Sequence, residues 1–141
     1  MQAERKRLVR LQRLEKVRAV AKQAAASEAA RAESTLAQLE ALAERTGRLV
    51  ADYSGRIDAA DGLALMQQGR FAGGLQGIRA GTLADAGRAR TVADARQAEL
   101  AMAERSRAAV EERAAREVRD LAAKAQSPVL GTRKPLGTPL E

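Results

Sequence analysis

The chain carries no proline before Pro128, and over most of that length its apolar residues recur at steps of three and four. Proline breaks a helix interior, and three-four spacing lines up one helical face, so this run commits the chain to long helices. The first stretch places Leu14, Val17, Ala21, Ala25, Ala29, Ala32, Leu36, Leu39, Ala43, Val50, Tyr53 and Ile57 on one stripe. Leu8, Leu11, Leu42 and Leu49 form a second row that widens it. The mean step lies closer to the 3.6 of a straight helix than to the 3.5 of a coiled coil, so little supercoiling is expected.

Composition agrees. Of 141 residues, 45% are hydrophobic and 30% charged, but only 1% are aromatic. A compact globule draws much of its buried area from aromatic rings, which this chain lacks. Ala dominates the apolar share, and Arg and Glu the charged share; all three favour helix. With neither His nor Cys, disulfides, thiolate nucleophiles, imidazole bases and most zinc sites are excluded. No phosphate-binding loop is present: Gly69-Arg70-Phe71-Ala72-Gly73-Gly74 has the wrong residues and sits between helical patterns. An enzyme is not expected, nor a cofactor or metal. No apolar run is long enough to span a membrane, and the charged N-terminus does not read as a secretory signal, so the expected compartment is the cytoplasm.

Nine of the eleven glycines fall between Gly47 and Gly87, which marks where the helical pattern is weakest. Asp61-Gly62 is the strongest turn dipeptide there, with Gly73-Gly74 its rival. A turn near residue 62 gives arms of equal length and pairs Glu4 with about Lys124, whereas a turn near 73 leaves the second arm much the shorter. The second stripe reads Leu75, Ile78, Ala86, Ala89, Ala93, Leu100, Ala103, Val110, Ala114, Val118, Leu121 and Ala125. The expected fold is all-α: a long antiparallel two-helix coiled-coil hairpin over residues 1–126, with helices at about 4–60 and 63–126. Each would be about 80–90 Å long. Ser127-Pro128 should stop the second helix, leaving 127–141 as a disordered tail.

Two features rise above this background. Arg5, Lys6, Arg7, Arg10, Arg13, Lys16, Arg18 and Lys22 face a single acid, Glu15, and account for the whole net charge of +7. Such a face suits an acidic protein surface. No aromatic platform or zinc pattern accompanies it to favour nucleic acid, and Leu8, Leu11 and Leu14 supply only some of the apolar bulk that a membrane would want. The second feature is the two aromatics. With the turn near 62, Tyr53 faces Phe71, Leu49 faces Leu75, Thr46 faces Ile78 and Leu42 faces Thr82. That cluster reads as a clasp holding a glycine-weakened end, as an exposed patch for a partner, or as both on different faces of the same residues.

The opening Arg7-Leu8-Val9-Arg10-Leu11-Gln12-Arg13-Leu14-Glu15-Lys16-Val17-Arg18, then Leu49 and Tyr53, then Phe71 and Leu75 before an Arg/Glu/Ala-rich helix, resembles the flagellar FliJ family. Members are small coiled-coil components of the flagellar type III export apparatus; the injectisome counterpart is similar. The resemblance spans about residues 5–125 and implies a stalk-like, non-enzymatic export chaperone. Its implied partners are the export ATPase hexamer, entered by the paired termini, and the cytoplasmic domain of the export gate, with the ATPase regulator and other export chaperones beside them. Membrane contact would come only through those partners, at the inner-membrane export apparatus, and nucleic acid is not implied. Tyr53, Phe71 and Leu75 match the family's gate-binding pattern, Leu42 and Leu49 fit it by spacing, and Ile78 occupies a less distinctive slot. The basic end, through Arg7, Arg10, Arg13 and Arg18, would meet the ATPase ring. The extra glycines, heavy alanine use and proline-containing tail depart from the family pattern. The rival expectations are a basic helical nucleic-acid-associated protein and a generic structural coiled coil.

Overall fold

A computed structural model describes residues 1–55 and 61–131, with backbone alone for 127–131. It contains two helices, α1 (Gln2–Ser54) and α2 (Gly62–Gly131), and no strand among the described residues. Asp61 begins α2: its carboxylate accepts the Ala64 amide hydrogen at 2.7 Å and its carbonyl accepts that of Leu65 at 3.2 Å. A side-chain oxygen at this position satisfies an amide that the first helical turn cannot. Gly55 donates to the Ala51 carbonyl at 3.0 Å and closes α1. Among the described residues α1 has ended by Gly55 and α2 begins from Asp61, and Gly73-Gly74, the rival turn, runs inside α2. Ile57, assigned to the first stripe, lies outside the described residues, as does the tail from residue 132.

The expected end of the second helix at 126 is corrected, because α2 continues to Gly131. A proline deletes one amide donor and crowds the carbonyl four residues earlier, so it weakens a helix locally without removing the bonds beyond it.

The chain forms two compact units. The central unit is Ala25–Leu100, and the terminal unit joins Met1–Ala24 to the chain from Ala101 onward. In each, α1 and α2 pack antiparallel. Central pairs are Glu33 with Gln97, Glu40 with Arg90, and Tyr53 with Phe71; terminal pairs are Glu4 with Lys124 and Arg7 with Glu117. The expected two-helix hairpin is what the chain adopts.

Within the central unit the less exposed α1 positions are Ala25, Ala29, Ala32, Leu36, Leu39, Ala43, Thr46, Val50 and Tyr53, in alternating steps of four and three. On α2 they begin with Ala64, Gln68, Ala72 and Leu75, and from Thr82 run through Ala86, Ala89, Ala93, Arg96 and Leu100, again alternating four and three. In the terminal unit α2 continues the pattern through Ala103, Arg107, Val110, Ala114, Glu117 and Leu121. This seven-residue repeat belongs to a coiled-coil seam and not to the straight-helix period expected from sequence. Ala29, Ala43, Ala72, Ala86, Ala93, Val110 and Ala114 are the buried apolar residues. Alanine lets the backbones approach closely while burying little area per residue.

The repeat reassigns several stripe residues. Leu14 and Val17 are exposed, and the terminal α1 seam runs instead through Leu8, Leu11, Glu15 and Ala19. Ala21, Ile78, Val118 and Ala125 also face away from the seam. The buried Thr46 and Thr82 take the interior places, so the expected opposition of Thr46 to Ile78 and of Leu42 to Thr82 is not a seam contact. Both hydroxyls donate at 2.8 Å to the carbonyl four residues back, Leu42 and Ile78 respectively, which satisfies them without a partner across the seam.

Candidate functional site

The central unit has two chemically different flanks. Glu33 and Glu40 each follow a seam residue on α1, and Gln97 and Arg90 each follow one on α2. Gln97 donates to Glu33 at 2.7 Å, and Arg90 to Glu40 at 2.5 Å, which closes that flank with polar pairs. In an antiparallel coiled coil, equivalent heptad positions share a side. The residues just before the seam therefore make the other flank: Leu42 and Leu49 on α1 and Phe71 on α2, with Ile78 one heptad after Phe71. All four are exposed, Phe71 at 50% and Ile78 at 57%. These four put an exposed apolar stretch on this flank near the aromatic pair.

The flank ends at the aromatic pair. The Tyr53 and Phe71 rings are tilted at 58° with centroids 4.6 Å apart, a favourable aromatic geometry. The Gln68 amide donates to the Tyr53 carbonyl and ties the first turns of α2 to the end of α1. Tyr53 and Leu75 are half-buried in the seam. Of the six gate-contact residues expected from the resemblance, four thus form the outward flank and two support it from beneath.

In the terminal unit, Arg7, Arg10, Arg13 and Arg18 are all exposed. Among the described residues only Arg7 of these has a carboxylate within ion-pair distance, Glu117 at 3.8 Å, a separation at which the pair contributes little. Lys124 donates to Glu4, and this contact lowers the Glu4 carboxyl below its ordinary value and raises the Lys124 ammonium above its own. Sequence reasoning missed the charged residues placed at the seam here, Glu15, Arg107 and Glu117. Arg107 Nε is buried and 3.0 Å from Glu111 Oε1, but the two are not aligned as a hydrogen bond. The signal for these positions was the heptad phase, hidden because the stripe was traced through apolar residues alone.

No helix among the described residues is long and apolar enough to cross a membrane, and no cluster of acidic residues among them could hold a metal ion. The chain matches no protein-family model, and no match was found among curated proteins or solved structures.

Proposed function

We propose that this chain is a non-enzymatic component of a type III protein export apparatus, a stalk-like coiled coil and export chaperone that links the export ATPase ring to the export gate. The observation that carries the reading is the apolar flank of Leu42, Leu49, Phe71 and Ile78, stiffened at one end by the Tyr53–Phe71 pair. Aromatic anchors ringed by aliphatic residues are what binding hot spots are made of. The exposed Arg10, Arg13 and Arg18, with Arg7, supply the charge for an acidic ATPase surface, where they would steer association. The working place of such a protein is the cytoplasmic side of the inner membrane, at the export apparatus.

The test is retention of the purified chain on the immobilised cytoplasmic domain of the export gate and, separately, on the export ATPase hexamer. Both should retain it. Leu49→Ala with Ile78→Ala should lose the gate and keep the ATPase, and Arg10→Glu with Arg13→Glu should do the reverse. Retention by neither partner would leave a generic structural coiled coil.

A further inference from the structure

The outer surface of α1 in the terminal unit carries exposed valines that the export reading does not use, interleaved with two arginines, Arg10 and Arg13, that it does. At 100° per residue, Lys6, Val9, Arg10, Arg13, Val17 and Val20 all lie within about 60° of the direction opposite the seam. Val17 is 63% exposed and Val20 70%, although β-branched apolar side chains gain nothing from standing in water. Val9 lies in a shallow depression that Arg5, Lys6, Arg10 and Arg13 complete. None of these four cations has a carboxylate within ion-pair distance among the described residues, and Glu15, the one acid between Arg5 and Lys22, is half-buried at the seam. On the terminal part of α2, by contrast, acids and bases alternate, as Glu112 with Arg116 shows.

We infer that this face binds an anionic membrane surface directly, lying in the headgroup plane. Charge complementarity selects an anionic partner, and the interleaved valines select which one. A phosphodiester backbone offers Val9, Val17 and Val20 no apolar contact, whereas the boundary between headgroups and acyl chains does. Lys and Arg stems lie along apolar surface while their charged ends reach outward, so cations among the valines still meet lipid phosphates. The inference shares Arg10 and Arg13 with the export reading, but its test needs only this chain and lipid, so either can fail without the other.

The test is co-sedimentation of the full chain with vesicles of one part phosphatidylglycerol to three of phosphatidylcholine at about 0.15 M salt. The chain should sediment with these and stay behind with phosphatidylcholine alone. Lys6→Gln/Arg10→Gln/Arg13→Gln should weaken binding roughly a hundredfold, as three cations lost from an anionic surface imply. Val9→Ala/Val17→Ala/Val20→Ala, which keeps every charge, should weaken it about tenfold. Gln and Ala are both good helix formers, so unchanged circular dichroism separates lost contact from lost fold. Equal sedimentation with both vesicle types, or none with either, overturns the inference. So does tighter binding to a short DNA duplex at the same salt with the valine variant unaffected, which would assign the face to nucleic acid.

Discussion

Tyr53, half-buried in the α1 seam, holds the ring of Phe71, itself 50% exposed, at a centroid distance of 4.6 Å. One ring belongs to the interior and the other to the surface, so their truncations should differ in kind. Phe71→Ala should lower stability by about 1–2 kcal/mol, below the 3–5 of a fully buried ring because half its area is already wet. Tyr53→Ala should cost more, since it opens the seam. Denaturant titration of both variants checks the order, and a reversed order would mean that Phe71 is the core residue.

Ile78 and Leu49 lie on the same flank without filling the seam. Alanine at both should shift stability by less than about 1 kcal/mol, as surface truncations do. If the flank is the gate contact, the same pair should cost at least tenfold in gate affinity, measured by calorimetry. A large loss of stability would show instead that these side chains close the coiled coil.

How far the sequence carried is clearest at these positions. Asp61-Gly62 and the equal arms located the hairpin, and opposed Tyr53 to Phe71. The N-terminal seam was misplaced for a geometric reason. A straight-helix period and a heptad diverge by about 20° per seven residues. Traced back from Ala32, the first arrives at Val17 and Leu14, while the second arrives at Leu11 and Leu8, where the seam lies. Leu8, Val9, Leu11, Leu14, Val17 and Val20 put an apolar residue on nearly every side of α1, so the pattern by itself could not choose between them. The choice is fixed by the alanine seam of the central helix and by charged positions such as Glu15, which an apolar trace passes over.

Thr46 and Thr82 are buried hydroxyls whose only hydrogen bonds among the described residues run within their own helices, to Leu42 and Ile78. Such back-bonding satisfies the group but adds nothing across the seam and slightly disfavours the helix. Thr46→Val with Thr82→Val should therefore raise the Tm of the chain, by an amount corresponding to about 0.5–1.5 kcal/mol. A lower Tm would show that one hydroxyl has a partner across the seam.

Gly73, Gly77 and Gly81 sit inside α2, and a Cβ built on each meets nothing within 4 Å. They serve no close approach, so each weakens the helix by about 1 kcal/mol relative to alanine. The triple alanine variant should gain roughly 2–3 kcal/mol and slow amide exchange in this part of α2. Gly47 is the contrast: its Cβ would stand 3.0 Å from Arg79 Nε, and the guanidinium must move to admit it. Gly47→Ala should gain less than any one of the three, as thermal melts of the single variants would read.

The Glu4–Lys124 contact sets the pH response of the terminal unit. Lys124, as hydrogen-bond donor, lowers the Glu4 carboxyl, so unfolding raises that group back toward its ordinary value. Its contribution is thus fully present above the ordinary carboxylate range and is lost as pH falls through the depressed folded value. Lys124 is raised by the same contact, so its share is present below the ordinary ammonium range and is lost as pH climbs through the raised folded value. Between these limits the pair is intact; Lys124 is exposed and Glu4 half-buried at the end of the helix pair, where solvent still screens them, so the effect should be local fraying rather than global unfolding. Amide exchange in the first turns of α1 should quicken in acid for the native chain, and Glu4→Gln should show the quickened exchange already at neutral pH. Strong salt should narrow the gap between the two, because it screens an exposed pair. If the native chain and Glu4→Gln exchange alike at neutral pH and low salt, the contact does not hold the terminal unit.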